Sequence, residues 1–397
     1  MLLSDAQQSD AMLNRSLAAF SALLLMSASG PSDAAIQQQG LRCGLAADQL
    51  VWTRDPQGKE QADIAPKANL DSPSHHAVAR LIDWESKSDV RMGFISEPPP
   101  AAPVQTVASL LPFTLKQIGP GVYAAIDGPE HKAGSNAGFV VGDDGVLVVD
   151  ALFTPEAAQA LVAEIHRITP KPIRYVVNSH YHADHTGGDG VLREAGAIII
   201  AHRNVRGWVR ANNIDLFGDR ITPELRARIG TLPLPDVVTN KDLVVWLGSR
   251  KVVVKTVLGH TGGDLVISVP DAKVMFTGDM LWRKIAPNLI DGSVKEWLAT
   301  DVEFAGMGDT TFVPGHGDIA NAGDVKDFRA YLTDLRRLVT EGRKRRLSGN
   351  KLAQYAAPKV KALHSDWTIS ERSIAAEVRY MNDELAGTKK RPIPVAD

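Results

Sequence analysis

The chain has 397 residues, of which 44% are hydrophobic and 23% are charged, a balance typical of a globular enzyme with one large core or two smaller ones. The formal net charge of −2 supplies no basic field that would attract nucleic acid, so no nucleic-acid partner is expected. Cys43 is the single cysteine, which excludes an intrachain disulfide.

The N-terminus predicts export from the cell. Arg15 precedes an apolar stretch from Leu17 to Met26 that is too short to span a bilayer, and small residues follow it. This order is typical of a secretory signal peptide, which we place within residues 1–35; a buried N-terminal helix is the alternative. We therefore expect a periplasmic or secreted bacterial protein with no stable membrane span after signal removal.

Residues 36–112 are predicted to be an N-terminal extension or linker, because they are polar and end in a proline-rich stretch around Pro98–Pro100. From Phe113 onward the pattern changes to alternating strands and helices. We place one domain at residues 113–345 and a helical extension at residues 346–397.

Apolar runs within that domain predict a series of strands. They cover residues 122–126, 137–141, 146–149, 173–177, 198–201, 252–258, 265–269 and 274–276. One helix is predicted to start at Thr154–Pro155, where a capping threonine precedes a proline, and others are predicted over 325–338 and 374–385.

The loop after the run at 173–177 is the most informative segment of the sequence. It reads Asn-Ser-His-Tyr-His-Ala-Asp-His-Thr-Gly-Gly and places His180, His182, Asp184 and His185 within six positions. Imidazole and carboxylate are the ligands that zinc and similar metals prefer, and four such groups in one loop would be costly to bury without a cation. The loop therefore predicts a metal site.

Three further segments each place one candidate ligand at the end of an apolar run: His260, Asp279 and His316. Seven candidate ligands suit two metal ions better than one, since four saturate a structural zinc and a catalytic zinc needs three and an open position. We predict two ions that share a hydroxide, with Asp279 as the bridging carboxylate. A chance gathering of surface histidines is the alternative, although five of the 11 histidines fall in these segments.

The order His-x-His-x-Asp-His, then His, Asp and His, resembles the metallo-β-lactamase-fold hydrolase superfamily over roughly residues 113–340. The resemblance implies an α/β fold, an αββα four-layer sandwich of two mixed β-sheets flanked by helices. It also implies the ligand sets: His180, His182 and His260 for one metal, Asp184, His185 and His316 for the other, and Asp279 between them.

Two further residues are interpreted through this resemblance. Asp150 would brace the metal loop from behind, and a simple strand cap is the alternative. Asp279 stands where the best-known β-lactamases carry cysteine, which is more similar to the broad group that includes glyoxalase II and lactonases.

We therefore expect a hydrolase with two Zn²⁺ ions, or Fe or Mn in their place, that opens an amide, lactone or ester bond of a small-molecule substrate. β-Lactamase-like activity fits this expectation, and Asp184 would orient the attacking water or carry its proton. A thioester hydrolase similar to glyoxalase II and a sulfate-ester hydrolase are the alternatives. A diiron redox protein is the alternative of another class, and His182 argues against it because diiron oxygen reductases of this fold carry glutamate there.

Two loops are candidates for the substrate cleft. Residues 127–136 join two strands where family members carry a mobile flap, and the segment from Trp282 to Trp297 resembles the β-lactamase segment that supplies a cation and an amide. Asn288 matches by its spacing, whereas Arg283 and Lys284 fall out of register, and a solvated pair of charges beside a packed Trp282 is the alternative. We predict that four residues line the cleft without binding metal: His131, Lys132, Trp282 and Asn288.

Overall fold

The computed structural model describes the backbone of residues 50–54, 60–64 and 92–94, and residues 111–394 with their side chains. The chain divides into two compact units, Met1–Ser109 and Leu110–Asp397. The predicted signal peptide and the proline-rich stretch lie outside the described residues, and the predicted domain boundaries stay predictions.

The described part of the first unit is a small sheet. Strand β1 (Leu50–Arg54) pairs antiparallel with β2 (Glu60–Ile64), and β2 pairs parallel with β3 (Met92–Phe94). These strands lie in the segment predicted to be an extension or linker, and they were not predicted from its polar sequence.

The second unit contains a seven-stranded mixed sheet in the order β10-β9-β8-β7-β6-β5-β4. Its strands are β4 (Phe113–Gly119), β5 (Val122–Asp127), β6 (Ala137–Val141), β7 (Val146–Val149), β8 (Ile173–Val177), β9 (Ile198–His202) and β10 (Val237–Thr239). Neighbours from β4 to β7 are antiparallel and neighbours from β7 to β10 are parallel. The parallel pairs are joined by helical crossovers, as parallel pairing requires.

A second, five-stranded mixed sheet follows in chain order. Its strands are β11 (Leu243–Leu247), β12 (Arg250–Val257), β13 (Asp264–Val269), β14 (Val274–Trp282) and β15 (Thr311–His316). All neighbours are antiparallel except β14 and β15, which are parallel.

The helices of the second unit connect and cover these sheets. They are α1 (Pro155–Ile168), α2 (Ala183–Thr186), α3 (Asp189–Glu194), α4 (Arg203–Trp208), α5 (Ala211–Phe217), α6 (Pro223–Gly230), α7 (Val294–Ala305), α8 (Ala322–Lys344), α9 (Gly349–Leu363) and α10 (Glu371–Ala386). The predicted start of α1 is confirmed, since Thr154 accepts a hydrogen bond from the backbone of Ala157. Within the described part of the chain, none of the helices has the length and apolar character needed to cross a membrane.

The two sheets face each other across a core of aliphatic and aromatic side chains, such as Leu147 and Val149 from one sheet and Ile267 and Phe276 from the other. The opposite face of the seven-stranded sheet packs on α1, and that of the five-stranded sheet packs on α7 to α10. The predicted sandwich of two mixed sheets between helices is confirmed.

One predicted strand is longer than expected. The apolar run at 274–276 continues as β14 through Gly278 and Asp279 to Trp282, and all but the last of its residues are buried. Thr277, Gly278 and Asp279 interrupt the apolar run, so the strand predicted from the sequence ends too early.

Candidate metal centre

The metal loop begins where β8 ends, at Val177, and passes into the single-turn helix α2. His180 and His182 precede this helix, while Asp184 and His185 lie on it. The three histidines are buried, and the Asp184 side chain is 32% exposed. A short strand-loop-helix turn thus presents four candidate ligands from one segment.

The structure gathers the seven predicted ligands into two groups. The first group is His180, His182, His260 and Asp279, and the second is Asp184, His185 and His316. Within each group the candidate ligand atoms lie within 4.8 Å of one another. His260 follows β12, Asp279 lies on β14 and His316 ends β15. The ends of these three strands of the five-stranded sheet therefore supply the ligands that complete the metal loop.

Asp279 lies between the two groups, with one carboxylate oxygen turned to each. Its Oδ2 is 3.2 Å from Nε2 of His260 and 3.8 Å from Nε2 of His180. Its Oδ1 is 3.0 Å from Nε2 of His185 and 3.4 Å from Nε2 of His316. This division of the two oxygens is the geometry expected of a carboxylate that bridges two cations.

Glycines allow the strand ends to come this close. A Cβ atom at Gly315 would overlap the carboxylate of Asp279, and one at Gly278 would overlap the side chain of Ser179. Gly278 also has a φ of 49°, in the left-handed region that favours glycine. The glycines that precede Asp279 and His316 in the sequence are therefore part of the site.

Two buried aspartates hold the candidate ligands from outside. Asp150 accepts hydrogen bonds from the backbone N–H of Ser179 at 2.6 Å, from its hydroxyl at 2.8 Å and from Nδ1 of His185 at 2.9 Å. This contact gives Asp150 the bracing position that the resemblance implied. Asp291, which the sequence analysis did not single out, accepts from Nε2 of His182 at 3.2 Å and from the hydroxyl of Tyr181.

These outer hydrogen bonds select which ring nitrogen points inward. His182 turns Nε2 to Asp291 and Nδ1 toward Nε2 of His260, 3.0 Å away. His185 turns Nδ1 to Asp150 and Nε2 toward Asp279. Metal-bound histidines characteristically give their other ring N–H to a carboxylate or carbonyl.

Burial dominates the pKa values of two histidines in the first group, whereas nearby carboxylates dominate the pKa of His316 in the second group. Burial lowers the pKa of His180 well below its usual value and that of His260 to about 3, so both are neutral and able to bind metal. Burial also disfavours protonation of His316, but the carboxylates of Asp279 and Asp184 outweigh it and raise its pKa to about 9. Without a cation, protons on the second group balance the carboxylates; metal ions would displace them.

The inward-facing atoms fit a metal better than any protein partner. Nε2 of His180, His185 and His316 and Oδ1 of Asp279 are buried, and although they lie 3.0–3.8 Å from the charged groups opposite, none of them makes a well-aligned hydrogen bond. A buried polar atom without a hydrogen bond costs roughly 1–3 kcal/mol, and a cluster of four poorly aligned ones is unusual for a purely structural site. The donor set of imidazoles and carboxylates fits Zn²⁺, and Fe or Mn as well.

A cleft of about 200 Å³ opens beside Asp184 and Asp279. It is lined by His182, Ala183, Asp184, Asn213, Leu216, Phe217, Arg220, Asp279, Trp282 and Asn288. Trp282 also stacks on His316, with ring centroids 3.9 Å apart. The cleft is thus lined both by candidate ligands of the two metal groups and by the apolar side chains of Leu216, Phe217 and Trp282.

The structure separates the four residues predicted to contact substrate. Trp282 and Asn288 line the cleft, whereas His131 and Lys132 are not among its lining residues. His131 instead pairs with Asp127 at 2.7 Å and Lys132 with Glu130 at 2.5 Å, on an exposed loop.

The charged pair that follows β14 is not part of the cleft lining, in agreement with its mismatch of register. Arg283 pairs with Asp324 at 3.0 Å and Lys284 with Asp366 at 2.6 Å, so neither supplies the cation of the cleft. Arg220 supplies it instead, from the turn after α5. Arg220 was not predicted, because nothing in its local sequence distinguishes it from other surface arginines.

Comparison with known proteins identifies the family. A family model described as the metallo-beta-lactamase superfamily matches residues 132–316. The alkyl/aryl-sulfatase BDS1 of Saccharomyces cerevisiae is 35% identical over 115 residues, which cover 27% of this chain and 18% of the yeast protein. The acyl-coenzyme A thioesterase MBLAC2 of Gallus gallus is 27% identical over 204 residues, covering 47% of this chain and 69% of that protein.

A solved structure shares the fold. A double mutant of the sec-alkyl sulfatase PisA1 superposes with a TM-score of 0.56 at 20% sequence identity, over 69% of this chain and 50% of that one. The matches thus span less than two thirds of both sulfatases. The ligand order, the two mixed sheets and the family match agree, and residues 132–316 of the chain, within the compact unit Leu110–Asp397, belong to the metallo-beta-lactamase superfamily.

Proposed function

We propose that the protein is a dinuclear zinc hydrolase that cleaves an ester-type bond in a small anionic substrate. The observation that carries this proposal is the position of Asp279, whose two carboxylate oxygens face different groups of metal ligands. The family supports metal-dependent hydrolysis in general. The choice of zinc, of two ions and of the bond is ours.

Each part of the site has a chemical role in this proposal. Two bound cations would supply Lewis acidity and a nucleophile derived from water at neutral pH. Asp184 lies at the cleft wall, and although its burial opposes ionisation, His185 and His316 lower its pKa to about 2. Its ionised carboxylate can therefore accept a hydrogen bond from an attacking water and orient it.

The cleft favours a substrate that has both an anionic and an apolar part. Arg220 has no hydrogen-bond or ion-pair partner among the residues that the structure describes, although it lines the cleft. Its guanidinium can bind a carboxylate, sulfate or phosphate group in a bidentate manner. Leu216, Phe217 and Trp282 offer apolar surface beside it.

Among ester-type bonds, sulfate esters and thioesters come first. Two relatives support this ranking, since one is named a sulfatase and another a thioesterase. β-Lactam opening is the second candidate; Arg220 would bind its carboxylate, because Arg283 and Lys284 are engaged with Asp324 and Asp366. The diiron redox alternative has no observation in its favour and is tested by metal content.

The test compares Asp279→Ala with a matched histidine control on metal-loaded protein. The control is His166→Ala, because His166 is exposed on α1, away from the ligand groups. The panel contains an alkyl sulfate, an acyl thioester, a lactone and a cephalosporin. We expect turnover of a sulfate ester or thioester, a loss of about a hundredfold or more in Asp279→Ala, given that even outer partners of metal ligands are worth 10- to 100-fold, and no change in the control.

Two results would contradict the proposal. One is that the metal-loaded protein hydrolyses no ester-type substrate of the panel. The other is that Asp279→Ala retains the activity and metal content of the control.

A further inference from the structure

The chain beyond α10 returns to the metal centre. Arg391 lies in this tail with its side chain 30% exposed. Its Nε donates to the carbonyl of Asp291 at 2.8 Å, and its Nη2 donates to the carbonyl of Thr261 at 3.3 Å. Nη1 bonds the carboxylate of Glu296 at 3.0 Å, which fixes the orientation of the guanidinium.

Both carbonyls belong to loops that carry or hold ligands of the first group. Thr261 directly follows His260 in the chain. The side chain of Asp291 accepts the hydrogen bond from His182. A single guanidinium therefore connects the loop of His260 to the residue that orients His182, and a planar fork of donors can hold two such carbonyls in a fixed relation.

Neighbouring contacts keep the tail and its target segment in place. Lys389 donates to the carbonyl of Gly292, and Trp208 donates to the carbonyl of Ile393 at 2.8 Å. On α10, Glu384 accepts from the backbone N–H groups of residues 294 and 295 at 2.9 and 3.0 Å. The segment that follows Asp291 is thus fixed from outside by the last helix and the tail.

The contacts of the tail favour one metal group over the other. Among the described residues, the hydrogen bonds of residues 388–394 reach Thr261 beside His260 and the Asp291–Gly292 segment, whose Asp291 side chain holds His182, and none reaches Asp184, His185 or His316. The tail lies beyond residues 132–316, which the family model covers. Any effect of the tail on the site is therefore a property of this chain rather than of the matched segment.

We propose that Arg391 is a positioning residue for the first metal group, acting through Thr261 on His260 and through Asp291 on His182. The C-terminal extension is then part of the metal centre. This inference rests on the two-metal site of the proposed function, so its experiment reads metal binding at each site as well as activity.

The experiment uses the full chain without metal, titrated with Co²⁺ in competition with a chelator, and follows visible absorption. In Arg391→Gln we expect one of the two dissociation constants to weaken about tenfold, within the range known for outer partners of metal ligands, with an altered absorption band for that ion. The control is Arg337→Gln, which removes an arginine paired with Asp334 and Glu341 on α8. Both constants should stay unchanged in the control.

A second variant guards against a folding defect. Glu296→Gln keeps Arg391 and both carbonyl contacts but weakens the ion pair that orients the guanidinium, so the same constant should weaken by a smaller factor. Unchanged constants and absorption in both variants would overturn the inference, as would equal weakening of both constants, which indicates general loosening. Wild-type protein that binds fewer than two Co²⁺ ions would overturn the proposed function as well, whereas two ions with no response to Arg391→Gln would overturn this inference alone.

Discussion

Replacing Asp150 by asparagine is the most specific perturbation of one half of the metal centre. Asp150 adopts a φ of 60°, a conformation that asparagine tolerates but alanine does not adopt without strain. Asparagine also keeps the shape of the side chain. Asp150→Asn therefore changes charge and hydrogen bonding while leaving the backbone at the end of β7 as it is.

The expected magnitude follows from the donors around Asp150. The Ser179 backbone N–H, the Ser179 hydroxyl and the His185 ring N–H all point at its two oxygens. Asparagine has one oxygen, so its NH₂ group must face a donor and at least one charge-assisted bond is lost. Such bonds are worth roughly 1.5–3 kcal/mol, which corresponds to about 10- to 100-fold in affinity for the metal that His185 binds.

The assay measures the two metal dissociation constants by chelator competition, with Asp291→Asn as the comparison variant. Asp291 accepts both of its side-chain bonds on one oxygen, so asparagine can keep them and loses only the charge. We expect a smaller loss there, of several-fold, at the site of His182 rather than that of His185. The reasoning is refuted if Asp150→Asn keeps both constants, or if both variants weaken the same ion.

Three further predictions concern the substrate, the C-terminal helices and the location of the protein. Arg220→Gln should raise KM for the anionic substrate with little change in kcat or metal content, because a contact made equally in the ground and transition states acts on KM; a fall in kcat alone would contradict this. Burial raises the pKa of Glu377 to about 8 despite its bond from Tyr331, so the protonated form contributes stability below pH 4.5 that is lost as pH rises through 8. Urea unfolding should therefore show that the free energy of unfolding falls by a few kcal/mol over this range, at about 1.4 kcal/mol per pH unit, and falls less in Glu377→Gln. Equal pH dependence in the two proteins would exclude this contribution of Glu377. If the protein is exported, as we propose, N-terminal sequencing of the native protein should find a start between about residues 28 and 37, and an intact Met1 or Met12 in a cytoplasmic fraction would argue against export.

Much of the sandwich could be predicted from local patterns. The bounds of β6, β7 and β8 agree with the predicted runs. The clearest case is β7, whose four buried residues form a continuous apolar run between polar turns, as expected of a strand covered on both faces. The helices α4, α5 and α6 were not predicted. They are short, and their burial depends on a cluster around Tyr181 and Trp208 that forms only in the folded chain.

The residues of the site also divide into those that could be predicted from the sequence and those that could not. The candidate ligands could be found because four lie in one loop and three follow apolar runs, so sequence spacing alone places them at strand ends. Asp291 and Arg391 could not be found, because each acts on a loop more than a hundred residues away in the chain. Contacts of that range depend on tertiary packing, which local periodicity does not contain.

The central claim is a centre that holds two metal ions, and the most direct measurement is the metal content of the protein as isolated, after dialysis. With Asp279 facing both groups of ligands, the account predicts close to two transition-metal ions per chain, chiefly zinc. At most one ion per chain with hydrolytic activity intact would contradict it.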